Sequence, residues 1–147
     1  MGKRPIQLRP QNKAPFIEVA TADAELKRLL ERYPPSPSRL VVVTSDHGEG
    51  LGDHGEDEHH LFVYDSTLRV PLVFAGAGLT AGRRVRGQFR SIDLLPTLTS
   101  LAGVQRVGAR PLDGRDLSPL LRGAPASWPE RMLWAHWDGR TSVRTPG

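Results

Sequence analysis

The chain has 147 residues, a formal net charge of +4 and no cysteine, which excludes disulfides, thiolate metal sites and a cysteine nucleophile among these residues. No apolar run reaches the roughly 18 residues of a membrane-spanning helix, so we expect no membrane partner. The positive charges are not interleaved with aromatic residues in a stripe, so we expect no nucleic-acid partner.

The first third of the sequence predicts a lead-in, one helix and one strand. Residues 1–14 are typical of a disordered lead-in, and they lack the apolar core of a signal peptide. The chain would therefore stay in the cytoplasm by default, if Met1 is the true start. From Pro15 onward, apolar residues at spacings of three and four predict a helix that ends at Pro34. The run LVVV at Leu40–Val43 predicts a buried parallel strand, apolar on both faces.

The rest of the sequence predicts short elements separated by turns. They are a helical turn at Tyr64–Arg69, a buried strand at Val70–Phe74, a helix capped by Ser91 or Asp93 that ends at Gly103, a short helix at Leu117–Leu121, and strands at Trp134–Trp137 and Thr141–Thr145 that Asp138-Gly139 joins as a hairpin. This order predicts part of an α/β layered domain whose sheet is short of neighbours.

The stretch TSDHGEGLGDHGEDEHH, Thr44–His60, directly follows the predicted strand at 40–43. Ligands gather outside the carboxyl ends of strands in open α/β sheets, and Asp46 and His47 stand there. A carboxylate beside an imidazole suits a divalent cation; the histidine favours Mn²⁺ or Zn²⁺ without excluding Ca²⁺. The alternative is that Asp46 caps a turn and His47 is an ordinary loop histidine.

The other histidines of the stretch carry weaker signals. His59 suits a group that donates a hydrogen bond or a positive charge to an oxyanion, and its alternative is a solvated loop histidine. His54 and His60 show no preference for a functional role. The run Glu56–Glu58 is typical of a solvated acidic face, because three carboxylates in a row repel an anionic substrate.

Four blocks of the sequence, in order, resemble the sulfatases of the alkaline-phosphatase-like superfamily: VVVTSDHGEGLGDHGE, HHLFVYDSTLRVPLVFAG, SIDLLPTLTSLAG and LDGRDLSPLLRG. The resemblance implies a partial α/β sandwich of that fold with a mostly parallel sheet over residues 15–125. It further implies the start of a small carboxyl-terminal antiparallel subdomain over residues 126–147.

The resemblance also implies roles for three residues. Asp46 and His47 match ligands of a divalent cation, Ca²⁺ being typical of the family. His59 matches a catalytic position that contacts the sulfate and the leaving group. Relatives with a histidine there usually have glycine next, where this chain has His60.

The chain departs from the family in its nucleophile. Such sulfatases use a formylglycine made from Cys or Ser in a C/S-x-P-S/A-R motif. The segment PSPSR at 35–39 mimics that motif, but Pro35 stands at the nucleophile position, so we predict a Pro/Ser loop. The amino-terminal metal aspartates of the family are not found either. We therefore expect the later half of a sulfatase catalytic domain, clipped at both ends and inactive alone.

Three hypotheses follow. The chain is a fragment of a sulfatase, whose substrate is a sulfate-ester small molecule or glycan. Alternatively, the parent is a phosphodiester or phosphonate hydrolase of the same superfamily, which His47 in place of the asparagine of many sulfatases favours. In the third, the chain is a non-catalytic remnant, or half of a complementing pair with an amino-terminal half as its partner.

Overall fold

The computed structural model describes residues 13–55, 63–105, 110–124 and 133–145. The chain divides into two compact units, Met1–Pro34 and Pro35–Gly147. The first unit contains helix α1 (Lys13–Arg32), which begins two residues before the predicted helix start at Pro15. This early start is possible because Pro15 lies in the first turn, where a missing backbone N–H breaks no helical hydrogen bond.

The second unit begins with two paired strands. β1 (Leu40–Thr44) and β2 (Leu72–Gly76) are antiparallel, with Leu40 opposite Gly76 and Thr44 opposite Leu72. The sheet that we predicted to be mostly parallel is therefore antiparallel in the residues that the structure describes. An apolar run indicates burial on both faces, and it carries no information on the direction of the neighbouring strand. The apolar residues of β1 are half-buried rather than fully buried.

The segment PSPSR forms a tight turn that leads into β1, as predicted. Ser36 and Arg39 exchange backbone hydrogen bonds, with N···O distances of 3.3 and 3.1 Å. Gly76, at the end of β2, has a φ of +89° and lies so close that a Cβ there would be 1.9 Å from the carbonyl oxygen of Arg39. Only glycine therefore allows the backbone of this turn to lie so close to the end of β2.

The remaining elements confirm the predicted order. They are α2 (Asp65–Leu68), α3 (Leu94–Leu101), α4 (Ser118–Leu121), β3 (Leu133–Trp137) and β4 (Arg140–Arg144). Strands β3 and β4 pair antiparallel, and Asp138 and Gly139 between them have φ values of 45° and 73°. Two consecutive positive φ values are the requirement of a type I′ turn, which explains the Asp-Gly sequence.

A buried polar network joins α3 to the segment before α4. The carboxylate of Asp93 is fully buried and accepts hydrogen bonds from the backbone N–H groups of Arg90 and Arg115, both at 2.8 Å. The hydroxyl of Thr97, also fully buried, donates to the carbonyl of Asp93 at 2.6 Å and accepts from the N–H of Leu117 at 2.9 Å. Because each of these partners is a backbone group, the network fixes the path of the chain as well as its packing.

The apolar core of the second unit is small. Among the described residues, the buried hydrophobic side chains are Leu101 on α3, Leu120 on α4 and Leu117 just before α4. The β3–β4 hairpin is tied to the rest of the unit by an ion pair of Arg144 with Asp65 and by a 2.6 Å hydrogen bond from Gln88 Nε2 to the carbonyl of Thr145. In the described part of the chain, no helix has the length and apolar character needed to cross a membrane.

Candidate functional site

The loop that follows β1 lies against α2. The N–H of Gly48 donates a 2.8 Å hydrogen bond to the carbonyl of Thr67, a buried residue of α2. A Cβ on Gly48 would lie 2.1 Å from the carbonyl oxygen of Ser66, so only a glycine permits this approach. The α2 turn therefore sets where the chain leaves β1, and with it the position of the two residues just before Gly48.

Asp46 is an exposed carboxylate in this loop. Its Oδ1 accepts hydrogen bonds from the backbone N–H of His47 at 3.0 Å and from the hydroxyl of Ser45 at 3.3 Å. The hydrogen bond from the His47 amide is the main reason that the pKa of Asp46 lies below its ordinary value. The side chain is therefore ionised at neutral pH, as a carboxylate ligand of a cation must be.

The imidazole of His47 is oriented by its own loop. Its Nδ1 lies 2.8 Å from the carbonyl oxygen of Gly48. Because a carbonyl only accepts hydrogen bonds, Nδ1 carries the proton, and the lone pair of the neutral ring is at Nε2. That Nε2 is 3.9 Å from Oδ1 of Asp46. A backbone carbonyl that fixes the ring through the other nitrogen is the usual support of a metal-binding histidine.

The two side chains together fit part of a cation site. Ligand atoms lie about 2.0–2.6 Å from Zn²⁺ or Ca²⁺, so two atoms 3.9 Å apart are close enough to contact the same ion. Within the described ranges, no group of three or more His, Cys, Asp and Glu residues has a spacing that would hold a metal ion. The arrangement therefore supplies two ligands, and a complete shell requires further donors.

A second Asp-His pair lies farther along the same loop. Asp53 Oδ1 is 3.1 Å from His54 Nδ1, and the His54 ring stacks on Tyr64 with centroids 4.2 Å apart. His54 has a φ of 54°, a conformation that costs energy for a residue other than glycine. Stacking on Tyr64 attaches this part of the loop just before α2, which gives His54 a structural role. His59, His60 and Glu56–Glu58 lie outside the described residues, so the role of His59 stays a prediction.

One supporting residue was missed at the level of sequence. The hydroxyl of Ser45 donates a 2.7 Å hydrogen bond to the carbonyl of His47 and thereby closes the turn that presents Asp46. Serine hydroxyls often bond the backbone about two residues onward, so a serine directly before Asp-His is the available signal.

The family model and the relatives that match this chain agree on one family. The sulfatase family model matches residues 18–104, more than half of the chain. A Delta 4,5-hexuronate-2-O-sulfatase from Bacteroides thetaiotaomicron is 32% identical over 129 residues, which are 85% of this chain and 26% of that protein. A choline-sulfatase from Rhizobium meliloti is 30% identical over 132 residues, which are 87% of this chain and 25% of that protein.

A solved structure agrees with these relatives. The phosphonate monoester hydrolase of Silicibacter pomeroyi superposes with a TM-score of 0.56 and 34% sequence identity, covering 79% of this chain and 22% of that chain. The chain thus spans about a quarter of the length of the proteins it matches. The family match includes β1, the Asp46–His47 pair, α2 and α3, and these four features stand in the order that the sequence resemblance implied. The chain belongs to the sulfatase family.

Proposed function

We propose that this chain is part of a sulfatase and carries two of its cation ligands, Asp46 and His47. The convergence of Asp46 Oδ1 and His47 Nε2, 3.9 Å apart at the carboxyl end of β1, is the observation that supports this assignment. A bound divalent cation polarises the oxygens of the sulfate ester. Asp46 holds that cation with an ionised carboxylate, and the Gly48 carbonyl orients the His47 ring through Nδ1 so that Nε2 carries the lone pair.

The donor set determines which divalent cations suit the pair. Ca²⁺, the typical family cation, prefers oxygen ligands, whereas an imidazole also suits Mn²⁺ and Zn²⁺. We propose that the pair accepts all three, with the histidine raising the relative affinity for Mn²⁺ and Zn²⁺. His59 is proposed to stabilise charge on the leaving group, on the basis of its position in the sequence motif.

The reaction needs groups that these 147 residues do not contain. There is no cysteine, and the segment that mimics the formylglycine motif, Pro35–Arg39, is the tight turn before β1 with a proline at the nucleophile position. We propose that the chain alone does not turn over and that an amino-terminal half supplies the nucleophile and the remaining ligands. Release of phenol from an aryl sulfate by the purified chain, at a rate above the reaction without protein, would contradict this.

The proposed substrate is a sulfate ester of a small molecule or glycan, but one finding favours a second candidate. The similarity to a phosphonate monoester hydrolase is as strong as that to the sulfatases, at 34% identity. A complete parent enzyme carrying these residues separates the two candidates by its kcat/KM for an aryl sulfate and for a phosphonate monoester. A preference for the phosphonate would replace the sulfatase assignment and leave the cation pair in place.

The third candidate, a non-catalytic remnant, is favoured by the lack of a third ligand among the described residues. It predicts that the chain binds a cation weakly or not at all. Binding is therefore the experiment that tests the proposed role of the pair directly.

Titration of the isotope-labelled chain with Mn²⁺, followed by NMR, tests the pair because paramagnetic broadening detects even weak binding. We expect broadening centred on Asp46–Gly48. Substitution of a residue that only supports a metal ligand usually weakens metal binding by about ten-fold or more, and loss of the ligand itself has a larger effect. We therefore expect Asp46→Ala to weaken Mn²⁺ binding by at least about ten-fold. Asp53→Ala, which removes the carboxylate of the other Asp-His pair, is the matched control and leaves binding unchanged. Equal broadening in wild type and Asp46→Ala would exclude the assignment.

A further inference from the structure

A cavity of about 310 Å³ lies in the second unit, lined by residues of β2, of the segment that follows it and of the α4 region. Its lining includes the buried Leu117 and Leu120, at 3% and 4% exposure, together with Phe74 and Phe89. Arg83 and Arg84 also line it. Sites for small molecules are mostly apolar, contain a few placed polar groups and have volumes of about 300–1,000 Å³, so this cavity falls at the lower end of that range.

One arginine of the cavity has a fixed position. The Arg83 guanidinium donates a 3.0 Å hydrogen bond to the carbonyl of Ala124, just after α4. A carbonyl bears no net charge, so this contact orients the guanidinium without neutralising it. The exposed Arg83 side chain therefore brings a positive charge to the lining of the cavity.

The second arginine adds another positive charge to the lining of the cavity. Arg84 is exposed, and no carboxylate among the described residues forms an ion pair with it or with Arg83. No acidic side chain is present in the described lining of the cavity. A guanidinium fork matches the planar or trigonal oxygen arrangement of carboxylate, sulfate and phosphate groups.

We propose that this cavity, named here the Arg83–Arg84 cavity, binds an amphiphilic organic anion. The apolar body of the ligand packs on the two phenylalanines and the two buried leucines of the lining. Its anionic group pairs with Arg83 and Arg84. Charge complementarity selects an anion, and the apolar lining selects one attached to a hydrocarbon ring or chain over a small inorganic ion. This binding is independent of the cation pair and of turnover.

The experiment uses 2-naphthyl sulfate as the probe, with the full 147-residue chain in the presence of EDTA. Chemical shifts of the backbone amides are followed during the titration. We expect saturable shifts at the cavity residues and none at Asp46–Gly48. 2-Naphthol and inorganic sulfate, which each lack one half of the probe, bind at least about ten-fold more weakly. Equal affinity for 2-naphthol, or shifts centred on the Asp46 loop, overturns the proposal.

Two matched variants locate the charge that binds. Arg84→Gln removes an arginine of the cavity and weakens binding of 2-naphthyl sulfate by about ten-fold, the usual cost of a lost hydrogen bond to a charged group. Arg86→Gln removes the same charge from the same exposed segment but from outside the cavity lining, and it leaves the affinity unchanged. Arg84→Lys keeps the charge and gives an intermediate affinity. An equal loss of affinity in Arg84→Gln and Arg86→Gln would mean that binding depends only on the net charge of the protein. That result overturns the proposed site.

Because EDTA removes free cations, this titration separates the two proposals. Failure of Mn²⁺ to broaden Asp46–Gly48 rejects the cation pair and leaves the cavity untouched. Failure of 2-naphthyl sulfate to bind rejects the cavity and leaves the cation pair untouched.

Discussion

At the scale of single residues, Gly48 controls the candidate cation pair without being a ligand. A methyl group at this position would lie 2.1 Å from the carbonyl oxygen of Ser66, so the loop or α2 has to move. We expect Gly48→Ala to lower the free energy of unfolding by about 2 kcal/mol, in the range of overpacking substitutions. We also expect it to weaken Mn²⁺ binding, because the displaced loop no longer holds Asp46 and His47 together.

A matched glycine separates these two effects. Gly55 has a φ of 80°, and among the described residues no atom lies within 4 Å of the position that a Cβ would take, so Gly55→Ala costs about 1–2 kcal/mol through the backbone conformation. Urea unfolding measures both stabilities, and NMR broadening measures both Mn²⁺ affinities. If Gly55→Ala weakened Mn²⁺ binding as much as Gly48→Ala, general destabilisation rather than loop position would explain the loss.

The sequence singled out Asp46 and His47 as candidates but could not describe their geometry. Their adjacency after a β-branched run placed them at a strand end, because the run and the polar stretch are contiguous. The proton position on His47 depends on the contact of Nδ1 with the Gly48 carbonyl, which is a product of loop dihedral angles. The glycines of this loop permit many such angles, so no local pattern specifies the contact.

At the scale of elements, Thr97 carries the connection between α3 and the α4 segment. Thr97→Val keeps the shape of the side chain but leaves the buried N–H of Leu117 without its acceptor. A buried unsatisfied donor costs about 1–3 kcal/mol, so we expect a loss of stability of that size in urea unfolding. Thr99→Val is the control, since the Thr99 hydroxyl bonds only carbonyls of its own helix, those of Leu95 and Pro96. Equal losses for the two variants would mean that the network contributes no more than ordinary helix contacts.

The two turn residues of the β3–β4 hairpin differ in how much a substitution costs. Gly139 has a φ of 73°, so Gly139→Ala places a side chain in the left-handed region at a cost of about 1–2 kcal/mol. Asp138→Asn suits the same turn and loses only an exposed ion pair with Arg140, so it changes stability by less than about 1 kcal/mol. Hydrogen exchange of the β3 and β4 amides measures both. Faster exchange in Asp138→Asn than in Gly139→Ala would contradict a type I′ turn.

Elements set by local signals were predicted, and those set by distant partners were not. The Asp-Gly turn and the glycine after α3 each act within a few residues. The direction of β1 relative to β2 depends on a connection of 27 residues between Thr44 and Leu72, which includes residues 56–62 outside the described structure. The LVVV run is equally compatible with either direction, so its composition could not exclude an antiparallel pair.

At the scale of the whole molecule, the chain spans about a quarter of the length of its relatives, and we propose that an amino-terminal half joins it at an edge of β1. In an antiparallel pair, alternate amides of a strand point toward the partner and the others point away. Among the described residues, β1 pairs with β2 on one edge and with no strand on the other. A strand edge without a partner strand is a template for pairing with a further chain.

Hydrogen exchange of the chain alone tests whether that edge is open. We expect every second amide of Leu40–Thr44 to be protected by β2, while the others exchange at rates close to those of an unstructured peptide. Addition of an amino-terminal half that complements the chain then protects both sets and raises the melting temperature, because a partner that binds only the folded chain stabilises it. Uniform protection of β1 in the chain alone would show that its own residues cover the edge. In that case the strand pair is complete without a partner, and the complementing half has to join elsewhere.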